Sequence, residues 1–568
     1  MLSRTIRRRD TGASPALPED LHPLLRRLYA NRGVCEPADL DLGLARLIPI
    51  SQLGGINEAV DLLCEHFRRG TRIVVVGDFD ADGATSTALV VRQLTRLGFK
   101  NVTFLVPNRF QYGYGLTPEI VQLAAEVRPG LIVTVDNGIS SHAGVAAATA
   151  LGIETLITDH HLAAASLPAA NAIVNPNAPG DAFPSKALAG VGVAFYLMAA
   201  LTRTMVERGL NLNPTPVAEL LDLVALGTIA DLVPLDRNNR VLVHQGLRRI
   251  RAGRCIAGIQ ALLEASNRVA SNCVAADLGY QIGPRLNAAG RIDTAELALS
   301  LFEERDAERA EAIARELSAR NSERQSLERR VVAEARQRIE ADAESSDAAV
   351  VVEADPGWHR GVLGIAASRL AREYHRPVLL FGIDGDRASG SGRSVPGVSL
   401  HGLLTEMAHH FIEFGGHDQA CGATLSASGF EAFAAEARSL FRDRIPADAR
   451  HRVEAVDAEL PLERLDETLR AELAMLEPHG AANPAPVFLA RDVRASYPFL
   501  PAGSQGLRGR LRSEKGDVRC VAWRPDARLA QLASDGAAMD LLYRIPPDRG
   551  DWGLQVEIVD ARGAGGAA

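Results

Sequence analysis

Three short apolar runs in the first third of the chain are each followed directly by acidic or imidazole side chains. The runs span residues 72–77, 131–135 and 154–158. The side chains that follow them are Asp78, Asp80, Asp82, Asp136, Asp159, His160 and His161. Because ligands bind beyond the carboxyl ends of strands in a parallel sheet, this pattern predicts a metal centre on an α/β domain.

The region from residue 71 to about residue 174 alternates between strand-like and helix-like segments. We expect strands at 72–77, 102–106, 131–135, 154–158 and 172–174. We expect helices at about 84–97, 117–127, 141–151 and 217–228. Alternation with nearly continuous apolar strands predicts a doubly wound parallel sheet. A further carboxylate, Asp231, follows the apolar stretch 223–230 and is grouped here with the acids at strand ends.

The residue types fit hard divalent cations. Mn²⁺ and Mg²⁺ favour carboxylate oxygen, and Mn²⁺ also accepts imidazole nitrogen. Asp78 and Asp80 share one face if strand geometry persists through them, and Asp136 on a neighbouring strand is placed to bridge two ions. The turn that begins at Gly83 opens a helix whose N-terminal amides would favour a phosphate.

Each motif also has a structural explanation. An isolated Asp at a strand end is most often a helix N-cap, and a His pair is more often a surface or core feature than a ligand. The Asp78–Gly83 spacing resembles a calcium loop, but that loop needs a Glu where this chain has Leu89. The metal interpretation therefore rests on the occurrence of four such motifs within one α/β unit.

Length and composition set the wider frame. A chain of 568 residues is expected to form several domains, and its 47% hydrophobic content is sufficient for their cores. No apolar run is long enough for a membrane helix, and the basic N-terminus lacks a signal-peptide core. Six cysteines without a CxxC pair indicate a reducing compartment, and we expect the cytoplasm. The net charge of −8 decides little, because nucleic-acid binding follows local patches.

The second half of the chain changes character twice. Residues 303–344 are rich in Glu, Arg and Ala without Pro or Gly, which predicts one long solvated connector helix; a coiled-coil dimer seam is the alternative. A mixed unit follows, with strands expected at 349–353 and 377–382. Five short strands then predict an OB-like β-barrel, at 487–495, 507–513, 517–523, 538–544 and 552–560.

The function of this barrel stays open at this point. It is either a platform for a nucleic-acid strand or an inert structural domain. Few aromatic side chains are available for base stacking, namely Tyr497, Phe499, Trp523, Tyr543 and Trp552.

These motifs together resemble the DHH phosphoesterase superfamily, and within it the exonucleases specific for single-stranded DNA. The resemblance covers roughly residues 70–560. The matching stretches are VVVGDFDADGATST, VPNRFQYGYGLTPEIV, VTVDNGIS, LITDHH, LGTIADLVPL, IGPRLNAAGRID, GWHRGVLGIAASRLA, SGRS and FGGHDQACG. The DHH set is shared by several enzyme types, whereas RLNAAGR and GWHRGVLG are more specific. This chain departs at Phe79, where Tyr is common, and at Cys421, where a small residue is usual.

The resemblance implies a domain plan. We expect an N-terminal arm (1–50), a DHH phosphoesterase domain (51–300), the connector helix (301–345), a smaller α/β DHHA1 substrate-binding domain (346–450) and the OB-like barrel (451–568).

The resemblance also implies roles for individual residues. The metal ligands would be Asp78, Asp80, Asp136, His160 and Asp231, with Asp82 and Asp159 as supporting or occasional ligands. His161 would contact the scissile phosphate and stabilise its developing charge. The substrate would be bound by Arg109, Arg285, Asn287, Arg291, His359, Arg393, Ser394, Gly415, Gly416 and His417. Arginine forks suit bidentate contact with phosphate.

The activity implied is a 5′→3′ exonuclease on single-stranded DNA, dependent on two Mn²⁺ or Mg²⁺ ions and acting in DNA repair and recombination. Implied partners are single-stranded DNA-binding protein and a RecQ-type helicase, with the chain itself a monomer and not bound to a membrane. Two alternatives are an oligonucleotidase or cyclic-dinucleotide phosphodiesterase of the same superfamily, and an inactive scaffold of a replication assembly. The former are shorter, and the latter should have lost metal ligands.

Overall fold

A computed structural model of the chain describes residues 4–9, 16–107, 112–164, 166–292, 296–341, 348–445, 452–503, 506–523, 525, 527–548 and 553–564. The chain forms two compact units. Among the described residues, one contains residues 8–318 and 455–564, and the other contains residues 4–7 and 319–454. Strand β1 (Arg4–Arg8) pairs with a later strand, β12 (Arg452–Val456), in a two-stranded sheet.

A five-stranded parallel sheet forms the centre of the N-terminal domain. Its strands are β2 (Ile73–Gly77), β3 (Val102–Leu105), β4 (Leu131–Val135), β5 (Glu154–Thr158) and β6 (Ala172–Val174). They lie in the order β3-β2-β4-β5-β6, and every neighbouring pair is parallel. The prediction of a doubly wound sheet is confirmed. The order reverses between β2 and β4, so this is the point at which such sheets bind ligands.

Helices cover both faces of this sheet. The helices before the long connector helix are Pro23–Ala30, which packs on the C-terminal barrel and not on this sheet, and Ile56–Arg69, Ala81–Leu97, Pro118–Ala125, His142–Ala150, Gly190–Glu207, Leu221–Ala230, Arg237–Arg251, Ala257–Glu264, Ala275–Asp277, Gly283–Ile292 and Glu296–Glu303. The helix expected at 84–97 begins earlier, because Asp80 caps it. The segment expected as one helix at 217–228 is a short 3₁₀ turn, Val217–Leu220, followed by Leu221–Ala230. A large core lies on one face of the sheet, and a smaller core lies on the other face, beneath helices Pro118–Ala125 and His142–Ala150.

The long helix Ala307–Ala341 agrees with the predicted connector in extent but not in solvation. Leu317 near its start is buried in the core of the N-terminal domain. Val331 and Ile339 near its end are buried in a cluster with Trp358 and Leu370 of the second unit. The apolar side chains of this helix are therefore buried near both of its ends, because the first part packs in the core of the N-terminal domain and the last part packs in the core of the second unit.

The second unit is built on a mixed five-stranded sheet. Its strands are β7 (Val351–Asp355), β8 (Val378–Asp384), β9 (Arg387–Arg393), β10 (Phe411–His417) and β11 (Ala420–Ser426), in the order β10-β11-β9-β8-β7. Only β7 and β8 are parallel. The helices of this unit, after the connector, are Arg360–Tyr374, Leu400–Glu406 and Phe430–Arg444.

The C-terminal segment forms the predicted barrel. Its strands are β13 (Ala458–Glu459), β14 (Phe488–Val493), β15 (Leu500–Ala502), β16 (Gly506–Leu511), β17 (Val518–Trp523), β18 (Met539–Arg544) and β19 (Gln555–Gly563). Helices Glu467–Leu473 and Ala527–Ser534 accompany them. The sheet order is β13-β14-β18-β19-β17-β16-β15, and a bridge between Ala495 and Leu511 joins the extension of β14 to β16. That bridge closes five of the strands into a barrel.

The N-terminal arm completes the core of this barrel. Leu25, Leu28 and Tyr29 are buried in the same cluster as the barrel strands, and the Tyr29 hydroxyl donates to the Met475 carbonyl at 2.9 Å. Arg32 pairs with the fully buried Asp457 at 2.9 Å. The barrel is therefore not an appendage, since its core requires residues from the start of the chain.

The aromatic candidates of the barrel divide by exposure. Tyr543 is fully buried and Phe499 packs against the barrel core, so neither offers a free face. Tyr497 and Trp523 are exposed. Trp552 lies outside the described residues. Among the residues that the structure describes, no helix is both long and apolar enough to cross a membrane.

Candidate metal centre

The metal-ligating side chains meet at the point where the sheet order reverses. Asp78 follows β2, Asp136 follows β4, and His160 lies just beyond β5. Asp78, Asp80 and Asp136 each offer an oxygen within 4.8 Å of the others. Asp136 also belongs to a second such group with His160 and His161. One carboxylate shared by two groups is the arrangement expected of a bridging ligand.

Asp80 reaches this site by a route that the sequence did not predict. Strand geometry ends at Gly77, and Asp80 is the N-cap of helix Ala81–Leu97. One of its oxygens, Oδ1, accepts hydrogen bonds from the amides of Asp82 and Gly83 at 2.9 and 3.0 Å. The prediction that these helix amides bind phosphate is not supported, because the Asp80 carboxylate occupies them. Its second oxygen remains for a cation.

Asp136 is held in a backbone conformation that few side chains adopt. Its φ is 62°, in the left-handed region, where a residue without a glycine's freedom is strained. Gly190, at the start of helix Gly190–Glu207, lies so close that a Cβ there would be 2.6 Å from the Asp136 Oδ1. The fold thus accepts local strain and a glycine to bring this carboxylate into the cluster.

His160 faces three carboxylates at once. Its Nε2 lies 3.1 Å from Asp136 Oδ1, 3.6 Å from Asp231 Oδ2 and 4.0 Å from Asp82 Oδ2. Burial and, to a lesser extent, the charge of the neighbouring His161 lower the pKa of His160 to about 4, so the imidazole is neutral and can act as a ligand. Both His160 Nε2 and Asp136 Oδ1 are buried without a hydrogen-bond partner. Unpaired buried polar atoms of this kind fit a bound cation.

Asp231 reaches the site from a helix and not from a strand. It is the C-terminal cap of Leu221–Ala230, so the grouping of Asp231 with acids at strand ends is wrong. The helix brings its carboxylate within 4.8 Å of donor atoms of Asp82 and His160. Burial and, to a lesser extent, the charge of Asp80 raise the pKa of Asp231 to about 6.

Asp82 and Asp159 are both buried, and their oxygens serve the backbone. Asp82 accepts from the Gly190 and Val191 amides at 2.7 and 3.0 Å, which anchors the start of that helix. Asp159 accepts from the amides of His160, His161 and Ile139 at 2.7, 3.1 and 2.9 Å. Asp82 also lies within ligand distance of His160 and Asp231, whereas the potential ligand groups of the described residues do not include Asp159. These contacts favour a positioning role for Asp159.

His161 is held by the same carboxylate. Its Nδ1 lies 2.7 Å from Asp159 Oδ1. Burial alone would lower the pKa of His161, but the hydrogen bond and charge of Asp159 outweigh it and raise the pKa to about 9. The side chain is therefore a cation at neutral pH, and it is 41% exposed, so it is open to a substrate. The Tyr114 hydroxyl lies 3.3 Å from His161 Nε2.

The carboxylates of the cluster are difficult to ionise together. Burial raises the pKa of Asp136, and the charges of Asp82, Asp80 and Asp78 raise it further. Burial and the charges of Asp231 and Asp80 act in the same way on Asp82. Bound divalent cations would offset this repulsion, so the donor set fits hard ions such as Mn²⁺ and Mg²⁺.

Comparisons with known proteins agree with this geometry. The chain matches the family model of the DHH family, N-terminal domain, at 72–228, the DHHA1 domain at 347–443 and the RecJ OB domain at 456–560. The single-stranded-DNA-specific exonuclease RecJ of Salmonella typhimurium is 50% identical over 442 residues, which are 76% of either chain. The chain belongs to the RecJ family.

Solved structures of RecJ support the same conclusion. The crystal structure of RecJ in complex with Mn²⁺ from Thermus thermophilus is 33% identical with a TM-score of 0.80. The alignment covers 100% of this chain and 81% of that chain. The corresponding structure in complex with Mg²⁺ is 32% identical with a TM-score of 0.75, and it covers 100% and 80% of the two chains. The predicted family and fold class are confirmed.

Several residues of the RLNAAGR stretch serve the fold of this RecJ-family chain. Asn287 Oδ1 accepts from the Ala81 amide at 2.7 Å, so it helps to fix the start of the Asp80-capped helix. Arg285 Nε donates to the Ser318 hydroxyl at 3.0 Å. The Arg291 side chain and Arg109 lie outside the described residues, and their phosphate-binding role stays a prediction.

The predicted phosphate-binding residues of the second unit are brought together in part by the register of its sheet. His417 pairs with Ala420, and Ala420 pairs with Arg393 on β9. Residues directly opposite each other in a sheet face the same side, so His417 and Arg393 lie on one face. Their Cα atoms are about 10 Å apart, the distance spanned by two strand spacings. Gly415 and Gly416 precede His417 on the same exposed strand.

Other predicted residues of this unit are engaged locally. The Ser394 hydroxyl donates to the Val398 carbonyl at 2.8 Å. His359 caps helix Arg360–Tyr374 by accepting from the Gly361 amide at 3.1 Å. The Cys421 thiol, one of the two departures from the family pattern, contacts the His417 carbonyl oxygen at 3.2 Å.

Two asparagines of the site were missed by sequence reasoning. The Asn175 side chain donates to the His161 carbonyl at 3.0 Å, and the Asn177 side chain donates to the His160 carbonyl at 2.6 Å. They fix the backbone of the Asp-His-His motif from the loop after β6. The available signal was the polar Asn-Pro-Asn run immediately after a predicted strand. Tyr114 was also missed, although it lies in one of the matched stretches.

Proposed function

We infer that the chain is a metal-dependent exonuclease that hydrolyses phosphodiester bonds of single-stranded DNA. The main observation in support is that Asp136 Oδ1 and His160 Nε2 face each other in a buried cluster without a hydrogen-bond partner, in a chain of the RecJ family. A protein that had lost this chemistry would have no reason to keep Asp136 in a strained conformation among like charges. The inactive-scaffold alternative is therefore disfavoured.

We assign the metal ligands to Asp78, Asp80, Asp136, His160 and Asp231, with Asp136 shared between two Mn²⁺ or Mg²⁺ ions. Two such ions supply a Lewis acid and a water of lowered pKa for attack on phosphate. Asp82 supports the cluster from behind, since both of its oxygens hold backbone amides.

His161 is assigned to the scissile phosphate. Asp159 fixes the orientation of the His161 ring and keeps this ring protonated, while the exposed edge of the ring remains available to the substrate. A fixed cation beside the reacting phosphate stabilises charge that develops on the non-bridging oxygens. The neighbouring Tyr114 hydroxyl restricts the position of the ring.

Phosphate binding is assigned to His417 and Arg393 on one face of the sheet of the second unit. The exposed glycines before His417 permit close approach of a backbone phosphate, and a guanidinium suits bidentate contact. Arg109, Arg285 and Arg291 remain candidates on the same chemical grounds.

Other parts of the proposal rest on the resemblance to the family. These are 5′→3′ polarity, action in DNA repair and recombination, association with single-stranded DNA-binding protein or a RecQ-type helicase, and a monomeric state. A cytoplasmic location is supported by six cysteines that are all free.

The test is digestion of end-labelled single-stranded DNA, double-stranded DNA and RNA with Mn²⁺, Mg²⁺ or EDTA. We expect stepwise release of nucleotides from the 5′ end of single-stranded DNA, with no activity in EDTA. Cleavage confined to dinucleotides or very short oligonucleotides would favour the oligonucleotidase alternative. Absence of all cleavage with metal in excess would contradict the proposal.

A further inference from the structure

A second cluster of potential metal ligands lies within the second unit. This unit contains β10, called here the Gly-Gly-His strand because it ends in Gly415, Gly416 and His417. Apart from the groups of the metal centre, the described residues contain one further set of three donors within 4.8 Å of one another, namely His409, His410 and Glu436. The two histidines end the 3₁₀ turn Ala408–His410, directly before β10. Glu436 lies in the middle of helix Phe430–Arg444.

The three side chains converge on one point. Nε2 of His410 lies 2.8 Å from Glu436 Oε2, and Nε2 of His409 lies 3.3 Å from the same oxygen. The two imidazole rings are 4.3 Å apart. In a tetrahedral Zn²⁺ site with bonds of about 2.0–2.1 Å, neighbouring ligand atoms lie about 3.3–3.4 Å apart. A shift of about half an ångström at His410 would therefore accommodate the ion.

We propose that His409, His410 and Glu436 bind a Zn²⁺ ion. Two imidazole nitrogens and one carboxylate oxygen suit Zn²⁺: the Irving–Williams order places Zn²⁺ above Mn²⁺, and Mg²⁺ favours sites built from oxygen ligands. Three protein ligands leave the fourth tetrahedral position to water. The metal centre is richer in carboxylate oxygen, the ligand type that suits Mn²⁺ and Mg²⁺, so Zn²⁺ binding at the second cluster has to be tested with Mn²⁺ in excess.

The cluster is partly organised before any metal arrives. The ring of His410 packs edge-on against Phe433, with centroids 5.7 Å apart, and only 15% of its side chain is exposed. His409 and Glu436 are 61% and 42% exposed, which leaves an entry path from solvent. A glutamate carboxyl is ionised at neutral pH, so Glu436 would supply an anionic ligand.

A bound ion would join the turn before β10 to a helix on the face of the sheet. Strand β10 ends in Gly415, Gly416 and His417, and it is an edge strand of its sheet. Edge strands are held on one side only, so a metal bond at the start of β10 would restrain it. The site is therefore structural, and it stabilises the strand that carries His417.

The simpler explanation is an ordinary ion pair between two histidines and a glutamate. The two explanations differ in metal stoichiometry. The test is equilibrium dialysis of the full, untagged chain against Zn²⁺ in excess Mn²⁺, followed by metal analysis. The variants are His410→Ala and Glu436→Gln, and the matched control is His401→Ala, which removes an imidazole of the same unit outside the cluster.

Any Zn²⁺ that enters the catalytic metal centre does so equally in all four proteins, so it cancels. We expect the wild-type chain and His401→Ala to bind one more Zn²⁺ per chain than the two cluster variants. Loss of a ligand should weaken this site at least about tenfold. Zn²⁺ should also raise the unfolding temperature of the wild-type chain more than that of Glu436→Gln.

Glu436→Gln retains the shape of a half-exposed side chain, so its fold should persist, and circular dichroism checks this. Co²⁺ substitution offers a spectroscopic readout, since tetrahedral Co²⁺ absorbs visible light far more strongly than octahedral Co²⁺. Equal Zn²⁺ stoichiometry in all four proteins, without a variant-dependent Co²⁺ band, would show that the cluster is an ion pair only.

Discussion

The metal centre and the Gly-Gly-His strand both present groups that bind charge, but their surroundings are opposite. Asp82 and Asp136 are 1% and 2% exposed, and each is held by loops or helix ends outside the regular sheet. Gly415, Gly416 and His417 are exposed and belong to a regular antiparallel ladder. The first region buries several like charges, whereas the second keeps its donors in contact with water.

This difference teaches what each region can do. Buried carboxylates that repel one another need bound cations. The low dielectric constant around them also strengthens the electrostatic interaction between the site and a reacting phosphate. Exposed donors on a sheet need no such compensation, but water and salt weaken each contact. We therefore expect the first region to control the rate of the chemical step and the second to control binding of the strand.

The largest effect is expected at Asp136. Asp136→Asn keeps the shape of the side chain but removes the charge that two ions would share. We expect a loss of kcat of about a thousandfold, because one of the main electrostatic elements of the transition state is removed. The measurement is single-turnover cleavage of labelled single-stranded DNA with Mn²⁺ in excess.

Asp222→Asn is the matched control for this variant. Asp222 is also fully buried, and its Oδ2 accepts from the Ile256 amide at 2.8 Å, but it is not part of the metal groups. It should retain most of the activity. DNA binding by Asp136→Asn should be unchanged or tighter, because repulsion between site and phosphate is reduced. Activity above a few per cent of wild type would argue against a shared carboxylate.

A smaller loss is expected at Asp159. Its carboxylate accepts the amides of His160, His161 and Ile139 as well as the His161 ring. In Asp159→Asn the new NH₂ group would face at least one of these donors, so both histidines should shift. We expect kcat to fall about tenfold to a hundredfold, as for other residues that orient metal ligands.

The KM for DNA shows whether Asp159 contributes to the metal centre or to binding of the DNA strand. It should change little in Asp159→Asn, because the Gly-Gly-His strand is intact. Mn²⁺ affinity, measured by calorimetry, should fall with kcat if His160 moves. A variant with normal kcat and a raised KM would place Asp159 with the residues that bind the strand. It would contradict the assignment of the chemical step to the metal centre and of strand binding to the second unit.

Much of this contrast was accessible from sequence. The strands of the parallel sheet were predicted within a few residues, because apolar runs bounded by Gly and Asp are a local signal, whereas β9, β10 and β11 of the second unit were not predicted. The convergence of Asp78, Asp136 and His160 followed from the parallel sheet alone, since the carboxyl ends of its strands meet at one edge. The five barrel strands were also predicted from alternation and turn residues.

What failed depended on contacts between distant residues. Asp231 was grouped with the acids at strand ends, although the helix expected at 217–228 already covered most of the apolar run before it, and a helix does deliver its carboxylate. Asp80 was expected to continue a strand, although a helix cap delivers it. Asp136 has a left-handed backbone, and its side chain packs against Gly190, which is 54 residues away in the sequence. No local pattern encodes that contact.

The binding region should respond differently to substitution. His417→Ala removes an exposed donor without altering the metal ligands. We expect KM for single-stranded DNA to rise about tenfold, the loss typical of one hydrogen bond to a charged group. Mn²⁺ affinity should be unchanged, and a lost or weakened Mn²⁺ site would contradict the separation of the two regions.

The smallest effect is expected at Ser394, which the family resemblance places among the phosphate-binding residues. Its hydroxyl donates to the Val398 carbonyl at 2.8 Å, and its amide donates to the Gln419 carbonyl at 3.0 Å. Both donors therefore serve the turn that follows β9. Ser394→Ala should lower the free energy of unfolding by about 1 kcal/mol, the net value of one hydrogen bond.

KM then decides between a structural and a binding role for this hydroxyl. We expect it to change less than about threefold in Ser394→Ala, whereas Arg393→Ala should raise it at least as much as His417→Ala, because a guanidinium makes two contacts with phosphate. Denaturant unfolding and steady-state kinetics on the same three variants separate the two roles. If Ser394→Ala instead raises KM about tenfold without loss of stability, the hydroxyl turns from Val398 towards the substrate. The binding region would then be adaptable on DNA binding, unlike the metal centre, whose side chains are fixed by buried contacts.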